Sequence, residues 1–124
     1  MKKIKIKISY KDKRGLIADM LEGVNVNAIT YITQKKNSIR GNHFHKKTIQ
    51  WNYVLRGKLE LYTKKKNEKL KKTILSKGDF AVTVKNEFHA IKAIQASEFL
   101  VFTQGPRGGK EYENDTFRLK DPLI

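Results

Sequence analysis

The chain has three histidines, His43, His45 and His89, and their spacing admits metal or proton chemistry. In an extended strand, residues two apart point to the same side. His43 and His45 therefore project together while Phe44 turns to the opposite face. Gln50 comes inward on the next extended run. The run GDFAVTVKNEFH places His89 one hairpin beyond Gly78, where a closed sheet folds it opposite the first pair. A lone histidine is more often a satisfied core or surface residue. Here all three fall in two hairpin-like blocks, which favours a shared site. Three neutral imidazoles with the side-chain oxygen of Gln50 form a donor set for Zn²⁺, Ni²⁺, Fe²⁺ or Mn²⁺. Gln50 supplies only a dipole, so affinity is expected below that of a site with a carboxylate there. The competing reading is a metal-free pocket in which the histidines bind ligand or move protons.

The elements that must position these residues read as short strands. Ile4, Ile6 and Ile8 alternate with Lys3, Lys5 and Lys7, the period of a half-buried strand. Further runs lie at 16–21, 27–32, 49–55, 58–63, 80–84, 89–94 and 98–103, separated by Gly, Asn and Lys clusters. A last strand is expected at 116–119. Only 16–23 competes as a helix, and it is short for one. Neither Pro106 nor Pro122 interrupts a run. Many short strands imply an all-β sandwich or barrel. In IQWNYVL, Ile49, Trp51, Tyr53 and Leu55 share one face, and Gln50, Asn52 and Val54 the other. If the polar face lines a cavity, something else must cover the bulky one. Phe99-Leu100-Val101-Phe102 is apolar on both faces. A homodimer, or an N-terminal strand folded over the sheet, would bury it.

Length and composition narrow the class. With 124 residues the chain has room for one core. No apolar run approaches the ~18 residues of a membrane span, and the basic N-terminus lacks a signal-peptide core. The expectation is a cytoplasmic protein with no membrane partner. Cysteine is absent, which removes thiolate metal sites and disulfides. A net charge of +15 invites a nucleic-acid reading. Eight of the lysines, however, crowd into 58–77 as a solvated hairpin tip with no aromatic interleaved in the run KKKNEKLKK. Nucleic acid is disfavoured as a partner; a basic cavity rim suits a phosphorylated small ligand.

These blocks resemble the two motifs of the cupins. The first reads His43-x-His45, Gln50, Gly57, with Gln50 where the family usually has glutamate. The second reads Gly78, Val84, Asn86, His89, Ala93 at matching spacings, with the proline, second glycine and asparagine replaced. Within the cupins the chain looks like the dTDP-sugar epimerase and ketoisomerase branch. Asp12-Lys13-Arg14-Gly15 resembles its D-x-R-G turn, and Ile39-Arg40-Gly41-Asn42-His43-Phe44 its L-R-G-x-H-F segment. His45-Lys46-Lys47 with Gln50 is nearer the ketoisomerases, and FHAIKAIQASEFLVFTQ is similar to the A-H-G-F and A-E-F-L patterns.

The resemblance implies an all-β single-domain cupin over 1–124, a double-stranded β-helix or jelly-roll barrel. Its N-terminal strands span 1–35, the barrel core 36–104, and a C-terminal lid or tail 105–124. It implies His43 as acid/base, Arg40 holding charge near the sugar, and Arg14 binding the nucleotide from its own or a neighbouring subunit. His45, Gln50 and Tyr112 complete the substrate contacts, and His43, His45, Gln50 and His89 the metal set; no organic cofactor is expected. The branch's general-acid tyrosine has no counterpart, because Gly105 and Pro106 stand there. Tyr31 and Tyr112 are the remaining candidate acids, with a plain core or rim role as the alternative for each. Chemistry agrees with the histidine and arginine roles: an imidazole starts near ~6.5 and can accept a proton beside a ketone, and a guanidinium pairs with diphosphate or enolate. Two functions are in view. One is an isomerase or epimerase of nucleotide-linked sugars in polysaccharide biosynthesis; the other is a non-catalytic cupin that binds a metal or a carbohydrate.

Overall fold

A computed structural model describes residues 2–124. Strands dominate: β1 (Lys2–Ile4), β2 (Lys7–Asp12), β3 (Gly15–Asp19), β4 (Ala28–Gln34), β5 (Ile39–Phe44) and β6 (Ile49–Arg56). There follow β7 (Lys58–Lys64), β8 (Lys71–Ser76), β9 (Phe80–Thr83), β10 (Phe88–Ala93) and β11 (Ser97–Gln104). A short helix α1 (Lys110–Asn114) and β12 (Phe117–Arg118) end the chain. One five-stranded sheet runs β1-β9-β6-β11-β4, a second runs β12-β5-β10-β7-β8, and β2 and β3 form a separate hairpin. Every pairing is antiparallel. The fold is all-β, a jelly roll of two facing sheets.

Alternation of side chains builds the core. On β11, Phe99 and Val101 are buried while Leu100 and Phe102 are half-buried on the other face. Phe99 pairs across with Val54 and Ile32, and Val101 with Asn52 and Thr30. Leu59, Leu61, Leu75 and Ala93 of the second sheet meet Val54, Phe99 and Val101, so the apolar interior fills one part of the space between the sheets. Gln50 and Asn52 share the inward face of β6, as the alternation requires.

The outward face of the first sheet is aromatic and incompletely covered. Trp51 and Phe80 are buried there, with Phe80 edge-on to both Tyr53 and Phe102. Ile29 is 64% exposed and Tyr31 55%.

Two local expectations are corrected, and one open choice is decided. The alternating N-terminus does not form one strand: it breaks at Lys5–Ile6, leaving β1 on the first sheet while β2 enters the hairpin, where Ile8 is exposed. Residues 15–19 form β3, in line with the run at 16–21, and the competing helix gives way, because a strand partner two residues away satisfies backbone groups that so short a helix would leave open at its ends. Residues 71–76, read as part of a wet lysine tip, form edge strand β8, whose Leu75 is fully buried.

Candidate functional site

The three imidazoles meet. His43 on β5 is the register partner of His89 on β10, and their ring centroids are 4.7 Å apart. His45, just past the end of β5, lies 4.8 Å from His43 and 5.3 Å from His89. The close approach of β5 to β10 requires a glycine: a Cβ at Gly41 would stand 2.9 Å from the His89 carbonyl oxygen and 3.1 Å from Ala90 Cα, and Gly41 has φ +94°.

A cavity of about 270 Å³ opens beside the cluster. Its polar wall includes Arg40, His43, Gln50, His89, Arg107 and Tyr112, and its apolar floor Ile32, Ile91, Phe99 and Val101. His45 is not part of that wall. It is 2% exposed and sits beneath the Tyr112 ring at 5.3 Å. Arg107 caps Tyr112 at 4.2 Å and donates from Nε to Thr30 Oγ1, so the C-terminal segment supplies part of the cavity wall.

Burial holds all three rings neutral. His43 is pushed down to about 4, by desolvation first and then by the charges of His45 and Arg118. His45 is lowered chiefly by burial, against an opposing contact with the Asp115 carbonyl. His89 falls well below the usual histidine range, again by burial and then by the other two rings.

Tautomers follow from the partners. His45 Nδ1 lies 2.9 Å from the main-chain oxygen of Asp115, and His89 Nδ1 3.2 Å from that of Glu87. A carbonyl only accepts, so each Nδ1 carries the proton and each Nε2 keeps a lone pair. His45 Nε2 is buried with no hydrogen-bond partner. Gln50 stands close enough to influence the His45 charge without satisfying that atom.

This arrangement fits a divalent cation. The candidate ligand atoms of the three histidines lie within 4.8 Å of one another. Zinc–nitrogen bonds of about 2.0–2.1 Å require the rings to draw in slightly. Backbone carbonyls on the Nδ1 atoms are the usual outer support of metal-binding imidazoles.

Two sequence candidates stand elsewhere in the chain. Tyr31 falls on the outward face of β4, since Thr30 and Ile32 take the inward positions, and donates to Glu98 at 2.5 Å. Arg14, at the β2–β3 turn, pairs with Asp12 at 2.7 Å and reaches no wall of this cavity. Asp115 was not legible as a site residue. It lies near the end of a polar tail, and only tertiary contacts bring it to His45.

The family model for the polysaccharide biosynthesis C-terminal domain matches residues 10–117. No curated protein sequence matches the chain. Among solved structures, QdtA, a sugar 3,4-ketoisomerase from Thermoanaerobacterium thermosaccharolyticum crystallised with TDP, aligns at TM-score 0.76 and 23% identity, covering 97% of this chain and 88% of its own. The WlaRB TDP-quinovose 3,4-ketoisomerase from Campylobacter jejuni aligns at TM-score 0.79 and 18% identity, covering 94% and 91%. A dTDP-4-dehydrorhamnose 3,5-epimerase from Sulfolobus tokodaii aligns at 0.68 and 18%, covering 87% and 70%. At these identities the likeness is one of fold: the jelly roll is the cupin fold of sugar ketoisomerases and epimerases.

Proposed function

The chain belongs to the polysaccharide biosynthesis C-terminal domain family, and from that premise we propose that it is a cupin acting on a nucleotide-linked keto-sugar as an isomerase or epimerase. The observation that carries this reading is a neutral, cavity-lining His43 in the same wall as Arg40. In this reading the cavity of about 270 Å³ takes the sugar ring, and the nucleotide lies outside it.

In this reading His43 takes the proton from the carbon next to the sugar ketone. Returning it to the former carbonyl carbon, while the hydroxyl proton passes to the former ketone oxygen, moves the ketone. Protonation of the same carbon from its other face by a separate acid gives the epimer. An imidazole held near 4 is a weak base in the empty site. The diphosphate of a bound nucleotide, and the enolate that develops, both favour its protonated form. Proton uptake is thereby tied to substrate binding. Arg40, anchored to the Thr33 carbonyl through Nη2, offers paired donors to the diphosphate or the enolate. Tyr112, beside the cluster, is the candidate acid that shares the cavity. The whole chain acts as one domain, with 105–124 as its lid.

A second reading has its own observation, the unpartnered Nε2 of buried His45. His43, His45 and His89, with Gln50 as oxygen donor, would hold Zn²⁺, Ni²⁺, Fe²⁺ or Mn²⁺. A bound cation would supply Lewis-acid polarisation of a sugar oxygen. His43 cannot ligate with the same lone pair that accepts a proton, so the two readings compete for it.

We further propose a homodimer. The β2–β3 hairpin exposes Ile8, Tyr10, Leu16 and Ile17, and the first sheet exposes Ile29 and Tyr31. Joining these surfaces between copies covers both, and it would carry Arg14 toward a neighbour's nucleotide. Among the described residues no helix is long and apolar enough to cross a membrane. The cytoplasm is the location we propose for a nucleotide-sugar enzyme.

The test is incubation with dTDP- and UDP-4-keto-sugars in deuterated water. Deuterium incorporation that disappears in His43→Ala supports the enzyme. Thermal stabilisation by a sugar nucleotide without exchange supports a non-catalytic binder. Neither effect with any member of the panel overturns the nucleotide-sugar reading, and absence of Zn²⁺ binding to the metal-stripped protein overturns the cation reading.

A further inference from the structure

One residue from the C-terminal segment grips the whole turn that carries His45. The Asp115 carboxylate accepts from the main-chain amides of Lys46 at 3.0 Å and Lys47 at 3.1 Å, and from Thr48 Oγ1 at 2.6 Å. Its own main-chain oxygen accepts from His45 Nδ1 at 2.9 Å. Four consecutive residues, 45–48, are thus bound to a single position about seventy residues away in sequence. Asp115 is 4% exposed and Thr48 1%, so water does not replace these bonds readily, and losing one partner strands the other.

The consequence reaches the cluster through one proton. With Nδ1–H held by the carbonyl, His45 keeps a lone pair on a buried Nε2 that has no hydrogen-bond partner, in a cluster whose candidate ligand atoms lie within 4.8 Å of one another. Without that carbonyl the proton is free to sit on Nε2, which turns an acceptor into a donor and closes the atom to a cation. The carboxylate fixes the turn, the turn fixes the distance from the His45 ring to the carbonyl, and the carbonyl fixes the tautomer.

We propose that Asp115 is the positioning residue of the site: docking of the C-terminal segment through Asp115 sets the His45 tautomer and so makes the three-histidine cluster a cation-binding site. This rests on the metal reading above. It assigns the segment 105–116 a role beyond covering the cavity, since a site whose lid is undocked also loses its third ligand.

The experiment uses the full chain, stripped of metal. Long-range nitrogen–proton NMR of the imidazoles reads the His45 tautomer directly, and Zn²⁺ alone is titrated against a chromophoric chelator. The wild type is expected to show His45 protonated on Nδ1. In Asp115→Ala that single tautomer is lost and Zn²⁺ binds about ten-fold or more weakly, while Asp115→Asn, which keeps an acceptor oxygen, falls between. Where Asp115→Ala does not fold, the asparagine variant decides. Wild-type tautomer and wild-type Zn²⁺ affinity in a folded variant overturn the proposal. Should the wild type bind no Zn²⁺, the metal reading fails by itself, and the tautomer measurement still decides whether Asp115 positions His45.

Discussion

His43 and His89 stand directly opposite each other in the β5–β10 ladder, rings 4.7 Å apart, at a point where the register shifts between His89 and Ala90. The irregularity lets two inward side chains from neighbouring strands share one space, and Gly41 next to it makes the close approach possible.

Gly41→Ala is therefore expected to destabilise the protein. The left-handed backbone costs about 1–2 kcal/mol for any residue with a Cβ, and the new methyl meets backbone atoms that cannot rotate away. Thermal unfolding should fall by roughly 5–10 °C. An unchanged midpoint would show that β5 and β10 can separate freely, and would weaken the geometric account of the cluster.

Acid should unfold the metal-free protein earlier than its carboxylates alone require. Each cluster histidine is lowered in the folded state, so the unfolded chain binds protons that the folded chain refuses. Stability then falls as pH drops from about 6.5 toward the folded value of about 4 for His43. Above this window both states are neutral and the contribution vanishes. At lower pH Asp115 extends the loss: burial would raise its carboxyl, but Thr48 and the Lys46 and Lys47 amides outweigh that and lower it. Denaturant midpoints that stay flat between near-neutral and mildly acid pH would contradict neutral, buried rings.

Gln50→Glu should strengthen cation binding. Gln50 lines the cavity beside the histidines, and a carboxylate there adds a formal charge to a wall otherwise carrying Arg40 and Arg107. Zn²⁺ affinity is expected to rise about ten-fold or more, read by chelator competition. Equal affinity in both proteins would remove Gln50 from the ligand set.

Ile17→Lys should dissociate the proposed dimer without disturbing the barrel. Ile17 is 60% exposed on the hairpin, so a charge there meets no core atom within the protomer. Light scattering should change from two copies to one while the β-sheet circular dichroism persists. A wild type that is already monomeric at micromolar concentration would refute the assembly.

The histidine cluster was legible because strand geometry is periodic: the i, i+2 spacing of His43 and His45 places both rings on one side whatever surrounds them. The inward polar face of Gln50 and Asn52 was legible for the same reason, as was the all-β class. Periodicity could not say which sheet a strand joins. That is why the alternating isoleucines of the N-terminus read as one strand and are in fact two, with Ile8 left exposed in a hairpin. Nor could it say on which side of β4 Tyr31 would fall, since its neighbours Ile29 and Thr30 give no decisive alternation.

The amino-acid order alone determined the chemistry available: three imidazoles, no thiol, an amide where a carboxylate could stand, and extended segments to carry them. Tertiary structure decided how that chemistry is poised. It buried the rings and so kept them neutral, turned Tyr31 and Arg14 away from the cavity, and brought Asp115 to His45 across about seventy residues. The physical reason is that side-chain direction is a local property of a strand, whereas desolvation and hydrogen-bond partnership depend on which distant segments exclude water from the same place.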